Sequence, residues 1–160
     1  MSAERPRRRH ADGSGLRIAI VCSRFNQEIT DSLLAAARHR LVELGVSEDD
    51  IATELVPGAF ELPLVAQRFA RSGAFDAVIA LGAVIRGETG HYELVAQAAA
   101  SGIARVALDT GVPVIFGVLA TDTIEQARAR SGGLLGNHGE DAAVAALEMV
   151  ASVRNLDREI

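Results

Sequence analysis

Residues 77–91 run Ala77-Val78-Ile79-Ala80-Leu81-Gly82-Ala83-Val84-Ile85-Arg86-Gly87-Glu88-Thr89-Gly90-His91. The first nine are apolar or glycine without a break. Such a run predicts a strand, spanning 76–85, that is covered on both faces, as strands of parallel sheets are. The next six residues change character at once. Glycines there let the backbone bend tightly. Arg86, Glu88, Thr89 and His91 bring a fixed charge, an acid, a hydroxyl and a titratable imidazole together. His91 opens a predicted helix that reaches about Ile103. A strand-to-helix junction of this kind can hold an anion at the helix start and move protons through the imidazole.

The same alternation extends in both directions. Leu16–Cys22 is an apolar run broken only by Arg17 and predicts a first strand. Leu33, Leu34, Ala37, Leu41 and Leu44 recur at helical spacing, with Asn26 as cap and Gly45 as stop. Ile51–Val56 predicts a second strand, and Pro57-Gly58 a turn. The helix that follows covers about 60–71, with Pro63 tolerated in its first turn. Val112–Leu119 predicts the fourth strand. Thr123 and Gln126 form a capping box for a short helix ending at Gly132-Gly133. Asn137 and Glu140 form another, opening a final helix to about Asn155. Strands alternating with helices specify a three-layer α/β sandwich around a four-stranded, mainly parallel sheet, with helices on both faces.

The chain has 160 residues, enough for one domain. Residues 15–160 are expected to form it, behind a flexible arm of residues 1–14 that carries Arg5-Pro6-Arg7-Arg8-Arg9. The arm is followed by no apolar segment of the kind an export signal needs. Only 4% of residues are aromatic against 49% hydrophobic, so the core must be built from Ala, Val, Leu and Ile. A net charge of −5 argues against nonspecific nucleic-acid binding, and no apolar run is long enough to span a membrane. Cys22 is the single cysteine, which leaves no intrachain disulfide or multi-cysteine zinc site and points to the cytoplasm. No lysine is present, so no side chain can form a Schiff base with a carbonyl substrate. Any imine must use an amine that a substrate brings.

Ligands of open parallel sheets bind beyond the carboxyl ends of the strands. Three junctions lie there: Ser23-Arg24-Phe25-Asn26, Gly58-Ala59-Phe60-Glu61 and 86–91. Phe25 and Phe60 can lid the core or together form a stacking platform for a planar ring. Glu61 suits a helix-start acid as well as a ligand contact. The amides after Thr89 form a seat for phosphate. Arg128 and Arg130 lie in the short fourth helix, either on a solvated face or with one gripping phosphate. Neither a phosphate-binding P-loop nor a dinucleotide glycine fingerprint is present.

At these residues the chain closely resembles the lumazine synthases of riboflavin biosynthesis. The resemblance runs from about Leu16 to Val153. It is carried by Ser23-Arg24-Phe25-Asn26, by Pro57-Gly58-Ala59-Phe60-Glu61-Leu62-Pro63, by residues 82–92, by Pro113-Val114-Ile115-Phe116-Gly117-Val118-Leu119 and by Gly136-Asn137-His138-Gly139. It implies a flavodoxin-like subunit assembled into homopentamers, in some members twelve of them forming a hollow sixty-subunit shell, with riboflavin synthase as an associated partner. It implies condensation of 5-amino-6-ribitylaminouracil with 3,4-dihydroxy-2-butanone 4-phosphate, with no metal or organic cofactor. By position, Phe25 is expected to stack on the pyrimidine. Ala59, Phe60 and Glu61 are expected to meet its ring and ribityl chain, and Ala83, Val84 and Ile85 to read its edge. Glu88 and Thr89 are expected to hold the butanone phosphate, and His91 to transfer protons. Phe116 and Arg130 are expected to come from a neighbouring subunit, with Arg130 on phosphate. His138 stands near the substrate where many family members carry lysine, so a fixed positive charge is replaced by imidazole.

Two other functions suit the same scaffold. A riboflavin synthase would use two lumazines and no phosphate, which Glu88, Thr89 and Arg130 disfavour. A non-catalytic flavin-binding or shell protein would have no need of His91.

Overall fold

A computed structural model describes residues 11–160. Four strands, β1 (Ile18–Ser23), β2 (Ile51–Val56), β3 (Ala77–Ile85) and β4 (Val114–Thr121), form one sheet in the order β2-β1-β3-β4. Every pairing in it is parallel. Among the described residues the five α-helices are α1 (Gln27–Glu43), α2 (Leu62–Arg71), α3 (His91–Thr110), α4 (Ile124–Ala129) and α5 (His138–Glu159). The expected three-layer flavodoxin-like arrangement is therefore present, with its sheet wholly parallel.

The two cores follow from the period of the strands, whose side chains alternate between faces. Ile18, Ile20 and Cys22 of β1 and Ile79 and Leu81 of β3 pack under Leu33, Ala37 and Leu41 of α1, Ala127 of α4 and Ala143 and Leu147 of α5. Ala19 and Val21, with Val78 and Ala80, pack under Leu62 and Ala66 of α2 and Ala99 and Ile103 of α3. Small residues replace the missing aromatics by bringing backbones together. A Cβ on Gly139 of α5 would lie 2.0 Å from the Leu33 carbonyl oxygen, and one on Gly102 of α3 would lie 2.6 Å from Pro63 Cγ. Pro63 stands in the first turn of α2, where its missing N–H is harmless.

Several boundaries differ from the sequence expectation. Helix α3 continues past Ile103 to Thr110, because Val106 extends the buried stripe of Ala99 and Ile103. Gly111, in the left-handed region, then ends it. Helix α4 stops at Ala129. Ser131–Gly133 forms a short strand, β5, paired antiparallel with β6 (Gly136–Asn137). Gly132 and Gly136, both at positive φ, make this hairpin instead of closing a helix. The Thr123–Gln126 capping box forms as expected. Asn137 caps α5 through the Gly139 N–H at 2.8 Å, whereas Glu140 turns to Arg40 rather than completing a box.

Residues 1–10 of the expected arm lie outside the described residues. Of the remainder, Gly13 is buried and its N–H donates to the Leu44 carbonyl at 2.8 Å, so this part of the arm packs on the domain.

Candidate active site

The chain leaves β1 toward one edge of the sheet and crosses over to place β3 on the other side of β1. This reversal opens a crevice at the carboxyl ends of β1 and β3, where doubly wound sheets bind ligands. Asn26 bridges it. Its backbone is left-handed, at φ 61°, and its side chain does not cap α1. Instead Nδ2 donates to the Ala83 carbonyl at 3.0 Å. Backbone bonds from Arg24 to Val56 and from Phe25 to Pro57 then join this exit to that of β2.

A cavity of about 740 Å³ lies over the crevice. Of the expected site residues, Phe25, Ala59, Phe60, Glu61, Ala83, Val84, Ile85, Thr89 and His91 line it. Phe25 is 72% exposed and Phe60 63%, so both rings lie outside the core and are open to a ligand. Asn26, Pro57, Gly58, Gly87, Tyr92, Leu94 and Val95 complete the wall. The walls are largely apolar with a few polar groups, as in sites for small planar ligands. Leu94 and Val95 escaped the sequence reading. Their only signal is that they lie within one turn of His91 at the start of an amphipathic helix.

Glu61 serves partly as a local cap, with Oε2 accepting from the Gly58 N–H at 2.9 Å. His91 starts α3, and its N–H donates to Thr89 Oγ1 at 3.4 Å. Glu88 is exposed but does not line the cavity, unlike Thr89 beside it. Arg86 does not supply the fixed charge expected of it. Its Nε donates to Asp122 Oδ1 at 2.8 Å, Nη1 to Glu93, and its guanidinium carbon lies 4.3 Å from the Tyr92 ring centre. The two acids push its already high pKa further up, and Arg86 in turn holds the Glu93 carboxyl below its ordinary range.

Phe116, Arg130 and His138 stand away from this cavity. Phe116, 46% exposed, lies on β4, which forms one edge of the sheet. Arg130 follows α4, and its Nη1 donates to the Gln126 carbonyl at 3.0 Å. His138 is exposed and adjoins Arg130, to whose carbonyl its N–H donates at 2.9 Å. The two arginines expected in the fourth helix thus differ, Arg128 lying within α4 and Arg130 just beyond its end. Arg128 holds Glu28 of α1 through two bonds, at 2.9 and 3.1 Å, and lowers that carboxyl's pKa. Arg130 has no carboxylate partner among the described residues.

Among the described residues, no helix is long and apolar enough to cross a membrane. The family model for 6,7-dimethyl-8-ribityllumazine synthase matches residues 15–154, which takes in the whole sheet, α1 to α4 and most of α5. With this crevice and this match, the chain belongs to the lumazine synthase family, transferases of riboflavin biosynthesis.

Proposed function

We propose that the cavity condenses 5-amino-6-ribitylaminouracil with 3,4-dihydroxy-2-butanone 4-phosphate, releasing 6,7-dimethyl-8-ribityllumazine, phosphate and water. The 5-amino nitrogen attacks the ketone carbon, and the carbinolamine loses water to give an imine. Phosphate then leaves, and the ribitylamino nitrogen closes the second ring with loss of water. The nucleophile belongs to the pyrimidine, in keeping with a chain that has no lysine. Holding two small molecules in a productive pose can supply about 7–11 kcal/mol of the barrier.

In this reading Phe25 stacks on the pyrimidine, Ala59, Phe60 and Glu61 meet the ring and ribityl chain, and Ala83, Val84 and Ile85 flank its polar edge. Glu88, Thr89 and the α3 amides take the phosphate, and His91 moves protons. Phe116, Arg130 and His138 come from an adjoining protomer. One observation carries the proposal. The residues assigned to a protomer's own site, Glu88 excepted, share one cavity, while the three assigned to its neighbour lie outside it, Phe116 and His138 exposed and Arg130 half-buried. A ring of five protomers, alone or as twelve such rings in a shell, would bring the two sets together. Association with riboflavin synthase and a cytoplasmic location are parts of the same proposal.

Absorbance at the lumazine band with both substrates tests the reaction, and no signal above the uncatalysed rate refutes it. Arg130→Ala should raise the Michaelis constant of the phosphorylated substrate. A rise confined to the pyrimidine constant would reassign Arg130. Light scattering distinguishes ring from shell, whose masses differ twelvefold.

A further inference from the structure

Residues 87–90 join β3 to α3 with little packing of their own. A Cβ added at Gly87 or Gly90 would meet no atom within 4 Å, and residues 86–91 are all exposed. Glycines in open space carry large backbone freedom. The segment nonetheless contributes Gly87 and Thr89 to the cavity wall and leads directly into His91, which also lines it. Its conformation must therefore be held from its ends.

Arg86 is in contact with both ends. Its backbone N–H donates to the Thr121 carbonyl at 2.9 Å, continuing the β3–β4 ladder. Its side chain then reaches past the segment to α3, bonding Glu93 and stacking on Tyr92, and reaches sideways to Asp122 at the end of β4. Asp122 is itself fixed, because its N–H donates to Gln126 Oε1 at 2.8 Å. A planar guanidinium is suited to this, since one group can bridge two carboxylates and lie on a ring face. Without it, Glu93 and Asp122 would be left with no cation between them.

We propose that Arg86 is a positioning residue whose side chain clamps residues 87–91 and so sets Thr89 and His91 against the cavity. The catalytic part of this rests on the function proposed above. The clamp itself does not.

Two measurements on the full-length protein separate the two. The first is amide exchange over 86–97 in the unliganded protein. In Arg86→Gln exchange should rise severalfold there while β1 and β3 keep their protection, and Arg86→Lys should lie between, since ammonium reaches one acid but cannot bridge. The second is steady-state kinetics. Arg86→Gln should raise the Michaelis constant of the phosphorylated substrate by about tenfold or more and lower kcat, with the pyrimidine constant within about twofold, because small misplacements of aligned groups are costly. Asp122→Asn should act in the same direction and add little on top of Arg86→Gln. Unchanged exchange in Arg86→Gln overturns the clamp whatever the activity. Equal loss for both substrates with a lowered melting temperature overturns it as well, leaving Arg86 a general stability residue. A wild-type protein that makes no lumazine refutes the proposed reaction, and the exchange result then decides the clamp alone.

Discussion

Asn26 and Ala83 are joined across the crevice by a single side-chain bond, Nδ2 to carbonyl at 3.0 Å, that ties the exit of β1 to the exit of β3. The backbone at Asn26 is left-handed, a region that Asn enters more easily than other side chains. One residue thus sets both the turn after β1 and the width of the site. Asn26→Ala should lose about 2 kcal/mol, from the bond and the strained backbone together. Asn26→Gly should lose about 1 kcal/mol, because glycine relieves the backbone term. Urea unfolding of the two variants checks the order, and equal losses would contradict it.

His91→Ala should lower kcat by ~10²–10⁴-fold, the usual weight of a proton-transfer group. Activity above the uncatalysed rate should remain, because alignment of the two substrates is untouched. Complete loss in a variant that still assembles would show that alignment contributes less than proposed.

His138→Lys should lower the Michaelis constant for the pyrimidine by about two- to fivefold, as expected of a fixed charge at an exposed site. The variant introduces a fixed charge without altering the backbone bond to Arg130. A pyrimidine constant that does not move would remove His138 from the substrate's surroundings.

Cys22 lies buried on the α1 face of β1, and its thiol pKa is pushed from 9.0 to about 12, first by burial and then by the charge of Asp31. The folded protein should resist iodoacetamide at pH 8 and react only on unfolding. Between pH 9 and 12 an unfolded chain gives up this proton while the folded chain keeps it. The Cys22 contribution to stability is thus complete below pH 9 and declines as pH rises through that window. Cys22→Ala should flatten that part of a stability–pH profile, and an unaltered slope would place its origin elsewhere.

The sheet was legible because each buried strand is an apolar run set between helical patterns, with β3 the plainest. The crevice was legible from the three junctions that follow strands. What escaped was every interaction made across the chain. Asn26 has the residue type of a cap, and nothing local indicates that its amide belongs to Ala83. Arg86 beside a glycine looked like an anion contact because Asp122, its partner, lies 36 residues on. Gly132-Gly133 looked like a helix stop, since paired glycines serve a stop and a hairpin equally. The roles assigned to Phe116, Arg130 and His138 came from resemblance alone, since no pattern within one chain announces a neighbour.

Arg130 lies outside the cavity that His91 of the same subunit lines. In the proposed ring, a protomer lacking the imidazole can still lend its guanidinium, and one lacking the guanidinium can still lend its imidazole. Two impaired proteins, His91→Ala and Arg130→Ala, should therefore complement one another when unfolded together and refolded as mixed rings. Random mixing in equal amounts leaves roughly a quarter of the sites with both groups intact. Complementation to that level would be the signature of a catalyst that no single polypeptide completes.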